Sequence, residues 1–221
     1  MAAKPDYDGA KAYALSRLED HLSPLFSYHS LYHTRDDVLP AAERLALLEG
    51  VSAADLLLLR TAVLYHDLGF TIQVDNHEWI SAHIAGEVLP SFHYLPQQVQ
   101  KIQGMILVTK LFTPPQTLLE AIMVDADLDV LGREDFLKRN QDLRTEIARL
   151  GKSLSDEQWY TQQLKFMHIH RYRTISAQTM RNPLKYYHIN LITGLLAACS
   201  TSQAGEGSNG RSRTTEFHPN Y

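Results

Sequence analysis

The sequence predicts an all-α fold: a single-domain helical bundle of about eight or nine helices over 1–199, followed by a polar tail over 200–221. Three observations predict it. Apolar residues recur at helical spacing in one segment after another, no stretch alternates apolar and polar residues between hairpin turns, and the breaks fall at glycine and proline. With 221 residues, 44% of them hydrophobic and 21% charged, the chain has globular composition and enough length to bury a core without disulfide staples.

Taken in order, the first amphipathic helix is expected over 7–22 and the second over 35–48. Ser52, three residues ahead of Asp55, makes a relaxed capping box for the run 56–65. That run is apolar on nearly every side, so it belongs at the centre of the bundle. Further helices are expected over 78–89, 97–109, 115–131, 133–150, 156–180 and 183–198. Gly50, Gly132 and Gly151 follow apolar runs, where a left-handed cap is expected. Pro90, Pro96, Pro114 and Pro115 mark breaks or first-turn positions. From Ser200 onward Ser, Thr, Gly, Asn and Arg replace the aliphatics, too little apolar surface to offset ordering entropy, so a flexible tail with an idle His218 is expected.

The formal charge of −4 and a pI near 6.2 exclude a general electrostatic affinity for nucleic acid or anionic membrane. Cys199 is the one cysteine, which excludes an internal disulfide framework and a cysteine-rich zinc module. Residues 1–8 carry no apolar signal region, and the apolar stretch 191–199 is shorter than the ~20 residues a membrane span needs. The expected location is the cytoplasm. Eleven histidines are the compositional reason to look for metal or acid–base chemistry.

Four stretches carry that chemistry: 28–38 with His29 and His33, 64–70 with His66-Asp67, 76–82 with His77 and Glu78, and 124–132 with Asp125, Asp127 and Asp129. His66-Asp67 ends the most apolar run of the chain. A carboxylate there needs a partner, because burying one alone costs several kcal/mol or forces it neutral. A divalent cation is such a partner, and imidazole and carboxylate suit Mn, Fe, Co, Ni and Zn. A hydrogen-bonded helix cap is the other reading of the pair. In the Asp cluster, the stripe Leu119, Ile122, Met123, Ala126, Val130 is joined on its flank by Val124 and Leu131. This puts Asp127 nearer the buried side than Asp125.

His33, His66-Asp67 and an Asp-x-Asp-Leu run, in this order in an all-α chain, resemble the HD-domain superfamily of metal-dependent phosphohydrolases. The resemblance covers roughly 25–132 and continues more loosely to 198. It implies that His33, His66, Asp67 and Asp127 are ligands to one divalent cation, with Asp125 the fallback if the register slips by two. Two features depart from the pattern. His77, His83 and His93 match no fixed spacing of further ligand histidines, and Asp127 lacks the basic residue that many members place after the ligand Asp.

The implied activity is hydrolysis of a phosphomonoester or phosphodiester by in-line attack of a water activated by the ion (Mn, Fe, Co, Ni, Mg or Zn). Family analogy gives a nucleotide or cyclic nucleotide as substrate. The alternative is a catalytically weak metal- and nucleotide-binding regulatory module. Asp67 is expected to position the nucleophile or take its proton, and Asp75, Glu78 and His77 are candidates for the proton donor. For Glu78, a first-turn acid favoured by the helix dipole is the plainer reading. His29, Lys110 and Arg173 are the expected substrate contacts, with Lys185 a further cation. Tyr28, Tyr32, Tyr65, Trp79, Trp159 and Tyr172 could stack a base, but their placement beside aliphatics favours packing.

Overall fold

The computed structural model describes residues 4–204, and among them there are nine α-helices and no strand. In chain order these are α1 (Tyr7–His21), α2 (Leu39–Leu48), α3 (Ala53–Tyr65), α4 (His77–Val88), α5 (Pro96–Leu107), α6 (Leu118–Asp127), α7 (Phe136–Arg149), α8 (Asp156–Ile169) and α9 (Ile175–Ala204). Single 3-10 turns follow α3, α4 and α6 at Leu68–Thr71, Leu89–Phe92 and Asp129–Gly132. No helix among the described residues is long and apolar enough to cross a membrane.

The run with no polar face is the central helix. Ser52 caps α3 by accepting the Asp55 N–H, and Leu58, Leu59 and every residue from Thr61 to Tyr65 are buried. Helices α1, α2, α5 and α6 pack around it. The polar pair at its C-terminal end, His66 and Asp67, therefore lies inside the bundle.

Four boundaries differ from the sequence expectation, each for a physical reason. The helix expected over 35–48 is preceded by a π-helical turn, His33–Val38, in which the Leu39 N–H reaches the Thr34 carbonyl. Pro40 has no N–H, and its ring crowds the carbonyl one turn back, so the turn ahead of it widens. The expected helix 115–131 stops at Asp127 and tightens into a 3-10 turn.

The expected break at Pro183 is absent. The chain breaks instead at 170–174, and Pro183 lies within α9. The break is fixed by Asp125, which accepts the Arg173 and Thr174 N–H groups, and by Lys185 Nζ, which donates to the His170 carbonyl at 2.6 Å. Finally, α9 continues through Ala204, five residues into the segment expected to be tail; 205–221, with His218, lie outside the described residues.

Gly50 and Gly151 adopt the expected left-handed conformation, but Gly132 does not. Its Cα hydrogens face α9, and a Cβ there would lie 2.3 Å from the Arg181 carbonyl oxygen, so close backbone approach is what requires glycine.

Candidate metal centre

Three separate elements deliver the predicted ligands to one point. The π-helical turn presents His33, the C-terminal end of α3 presents His66 and Asp67, and the last residue of α6 is Asp127. His33, His66 and Asp127 each bring a donor atom within 4.8 Å of the other two. His33 Nε2 lies 3.2 Å and His66 Nε2 3.4 Å from Asp127 Oδ1. Asp67 Oδ2 is 3.3 Å from His66 Nε2 and 3.9 Å from His33 Nε2, flanking that group of three.

The donor chemistry fits a cation. His66 Nδ1 lies 2.7 Å from the Val63 carbonyl, an acceptor, so Nδ1 carries the proton and Nε2 is left with a lone pair. That lone pair faces two carboxylate oxygens, and neither His66 Nε2 nor Asp67 Oδ2, both fully buried, has a hydrogen-bond partner. Acceptor against acceptor in a dry interior requires a positive charge between them. Ligand atoms ~2.0–2.2 Å from a metal and at right angles sit about 3 Å apart, close to these separations.

The protonation preferences agree. Burial pulls the His33 imidazole down, but the Asp127 and Asp37 hydrogen bonds and the Asp67 charge outweigh it, raising its pKa to about 9. His66 is likewise raised, Asp67 and Asp127 overcoming burial. Burial raises Asp127, yet the two imidazoles hold it far below the usual carboxylate range. Without a metal, protons on the histidines take the role of the missing charge.

The neighbouring acids have other work. Asp125, the fallback ligand, is fully buried and accepts from Arg173 N, Thr174 N and Thr174 Oγ1 at 2.7–2.8 Å. It ties α6 to the start of α9. The wheel argument placed Asp127 nearer the buried side, but Asp127 is the less buried of the two because the turn at Arg173 and Thr174 covers the face bearing Asp125. Asp129 pairs with Arg44 and Arg181.

On the far side of His33, Asp37 Oδ2 stands 3.9 Å from its Nδ1, and Asp37 is held by Arg133 and Arg139 at 2.8 and 3.2 Å. Burial opposes the Asp37 charge, but His33 and the two arginines keep its carboxyl below the usual range. Asp37, Arg133, Arg139 and Glu146 were not anticipated as parts of the site. Asp37 carried a signal, since it lies four residues after His33 and shares its face.

A cavity of about 490 Å³ opens from the cluster, with Asp67, Asp127, His77, Glu78 and His29 at its inner end. His77 stacks on Phe70 with ring centres 3.8 Å apart and turns Nε2 to within 3.8 Å of Asp67 Oδ1. Burial, only partly offset by Asp67 and Glu78, lowers its pKa and keeps the ring neutral. Glu78 lies in the first turn of α4, as the plainer reading has it, and is buried there with Oε2 3.7 Å from His77 Nδ1. His29 Nδ1 meets Glu146 Oε1 at 2.5 Å, and the Glu146 carboxylate is further fixed by the Tyr28 and His29 N–H groups.

Other expected participants stand apart. Asp75 is exposed and does not line the cavity. Lys110 borders a separate surface depression with Trp79, and the Arg173 side chain is exposed. Lys185 is buried, with Nζ on His170, and is no phosphate ligand. His83 and His93 are exposed, and Tyr65, Trp159 and Tyr172 pack in the interior.

Among solved structures the chain is similar to a predicted HD superfamily hydrolase from an uncultured Thermotogales bacterium, with 17% sequence identity, a TM-score of 0.59, and 88% of this chain matched to 93% of that one. It is also similar to a protein from Lactobacillus plantarum, again at 17% identity, with a TM-score of 0.64 over 93% of this chain and 100% of the other. No family model and no curated protein matches the sequence. The likeness shows a shared fold. The order His33, His66-Asp67, Asp127 sits on that fold with three of its side chains grouped as a metal site requires.

Proposed function

We propose that the chain is a divalent-metal-dependent phosphohydrolase acting on a small-molecule phosphoester, with His33, His66, Asp67 and Asp127 as the ligands of the ion. The observation that carries this reading is the buried His66 Nε2, facing Asp67 Oδ2 and Asp127 Oδ1 at 3.3 and 3.4 Å with no donor between them. A bound divalent ion supplies a Lewis acid for phosphoryl oxygen and lowers the pKa of water toward ~7.

The chain's own residues divide the remaining work. Asp67 points one carboxylate oxygen at the histidine pair and lines the cavity, so it orients the attacking water and accepts its proton. His29 is the proton donor to the leaving oxygen. Its Nδ1 is engaged by Glu146, which fixes the ring and leaves Nε2 for the cavity. Asp75 is too exposed for that role, and the Val74 carbonyl, 3.2 Å from His77 Nδ1, orients His77. The finer expectation of a nucleotide or cyclic nucleotide rests on the resemblance alone.

The test is phosphate release from 4-nitrophenyl phosphate with added Mn²⁺, for the parent chain and His66→Ala. The expected result is metal-dependent turnover that falls at least ~100-fold in the variant, beyond the ~10–100-fold cost of losing an outer-shell partner. Metal binding without turnover of any phosphoester would turn the reading to a regulatory module.

A further inference from the structure

We infer that the alcohol released from the phosphate is apolar and aromatic, so that an aryl phosphomonoester rather than a nucleotide is the substrate class; the inference rests on the phosphohydrolase reading. The cavity has two chemistries. Its inner end carries the carboxylates and histidines, while Leu128, Leu131, Phe136, Leu143 and Phe166 make up much of the remaining wall. At about 490 Å³ it is roughly three times the ~150 Å³ that holds a benzene ring, enough for a fused aromatic pair and a phosphate.

Three polar side chains of the wall, Asn140, Gln163 and Thr109, are already committed. The Asn140 amide donates to Gln163 Oε1 at 2.6 Å, the Asn140 carbonyl accepts the Trp159 indole N–H at 2.9 Å, and the Thr109 hydroxyl donates to the Ile106 carbonyl. A nucleobase would bury its edge donors and acceptors against these occupied groups, which is costly. A nucleoside di- or triphosphate would need several cations. Among the described residues, Lys165 is the one lysine or arginine lining the cavity, and it is exposed.

The mouth repeats the pattern. Phe112 is 52% exposed and Ile169 53%, so the apolar wall continues into water as a lip. Phe112 also holds φ at 67°, a conformation that bulky residues rarely adopt, and sets its ring edge-on to Phe166 at 6.2 Å. A strained, wet aromatic at the entrance of an apolar chamber is explained by a ligand that covers it.

The experiment measures binding to the Mn²⁺-loaded full chain by calorimetry, with three non-hydrolysable probes: 1-naphthylmethylphosphonate, methylphosphonate and the phosphonate analogue of AMP. The naphthyl compound is expected to bind at least tenfold more tightly than either of the others. Phe112→Ala and Phe166→Ala should each weaken it at least threefold. Phe112 is exposed, so its variant decides the matter should Phe166→Ala fold poorly. Equal or tighter binding of the AMP analogue, no preference for the naphthyl compound, or an unchanged affinity in Phe112→Ala overturns the inference. Tight binding of the naphthyl probe with no hydrolysis of 1-naphthyl phosphate would instead overturn the phosphohydrolase reading and leave the ligand class standing.

Discussion

Asp125 and Asp127 are two residues apart on one helix and have opposite fates. Asp125 accepts three hydrogen bonds from the turn that opens α9, while Asp127 meets two imidazoles and borders the cavity. Because ~100° separates successive helical residues, one carboxylate can tie helices together while the other faces the site. Their substitutions should therefore separate stability from metal binding. Asp125→Asn turns an amide N–H toward a backbone donor, and a buried group left unsatisfied costs ~1–3 kcal/mol. Its melting temperature should fall while Mn²⁺ affinity in the folded protein stays within about threefold of the parent, because its partners Arg173 and Thr174 are shared with none of the proposed ligands. Asp127→Asn should do the reverse, losing more than the ~10–100-fold affinity that an outer-shell change costs. Calorimetric titration and thermal melts on both variants read the two quantities, and a large affinity loss in Asp125→Asn would reassign the ligand.

At the level of the element, the turn after α3 decides whether the site exists. His66 and Asp67 are followed by a 3-10 turn in which the Gly69 N–H donates to Ser81 Oγ at 2.8 Å and the Gly69 Cα lies against the backbone of His77. A Cβ there would lie 2.1 Å from the His77 carbonyl oxygen, so Gly69→Ala must push α4 away and move His77 and Glu78 with it. Overpacking of a buried contact costs ~1–3 kcal/mol, and thermal unfolding should show a loss in that range; an unshifted melting temperature would mean that α4 floats freely on the turn.

How far the elements were legible follows from the same logic. Local pattern gave the central α3 and its Ser52 cap, because each is written in residues close together, whereas the proposed ligand set, spread from 33 to 127, came from the resemblance. The break at 170–174 is not local: a carboxylate and an ammonium from other helices, Asp125 and Lys185, make it. Equally, the proton-donor candidates offered by the sequence, Asp75, Glu78 and His77, all lie near His66-Asp67, whereas the proposed donor His29 meets its partner Glu146 117 positions away.

Across the whole molecule, the centre couples stability to both pH and metal. Without an ion, His33 titrates near pH 9 in the fold, against ~6.5 unfolded. A histidine raised in this way contributes stability that is complete below pH ~6.5 and is lost as pH rises through about 9. His66 is raised as well and acts in the same direction. A bound dication displaces those protons, so the metal-loaded form does not share this loss, and the gain in stability on saturating with Mn²⁺ must grow with pH over that interval. Each displaced proton adds up to ~1.4 kcal/mol per pH unit. Lys185, lowered by burial to about 8, titrates in an overlapping range with the opposite sign, but it touches His170 rather than the cluster and cancels when loaded and unloaded samples are compared at one pH. Melts at pH 6.5, 7.5 and 8.5 with and without saturating Mn²⁺ should show a difference in melting temperature that widens step by step. A difference that is flat or narrows with pH would mean that no proton leaves His33 or His66 when the ion binds, and that the ion sits elsewhere.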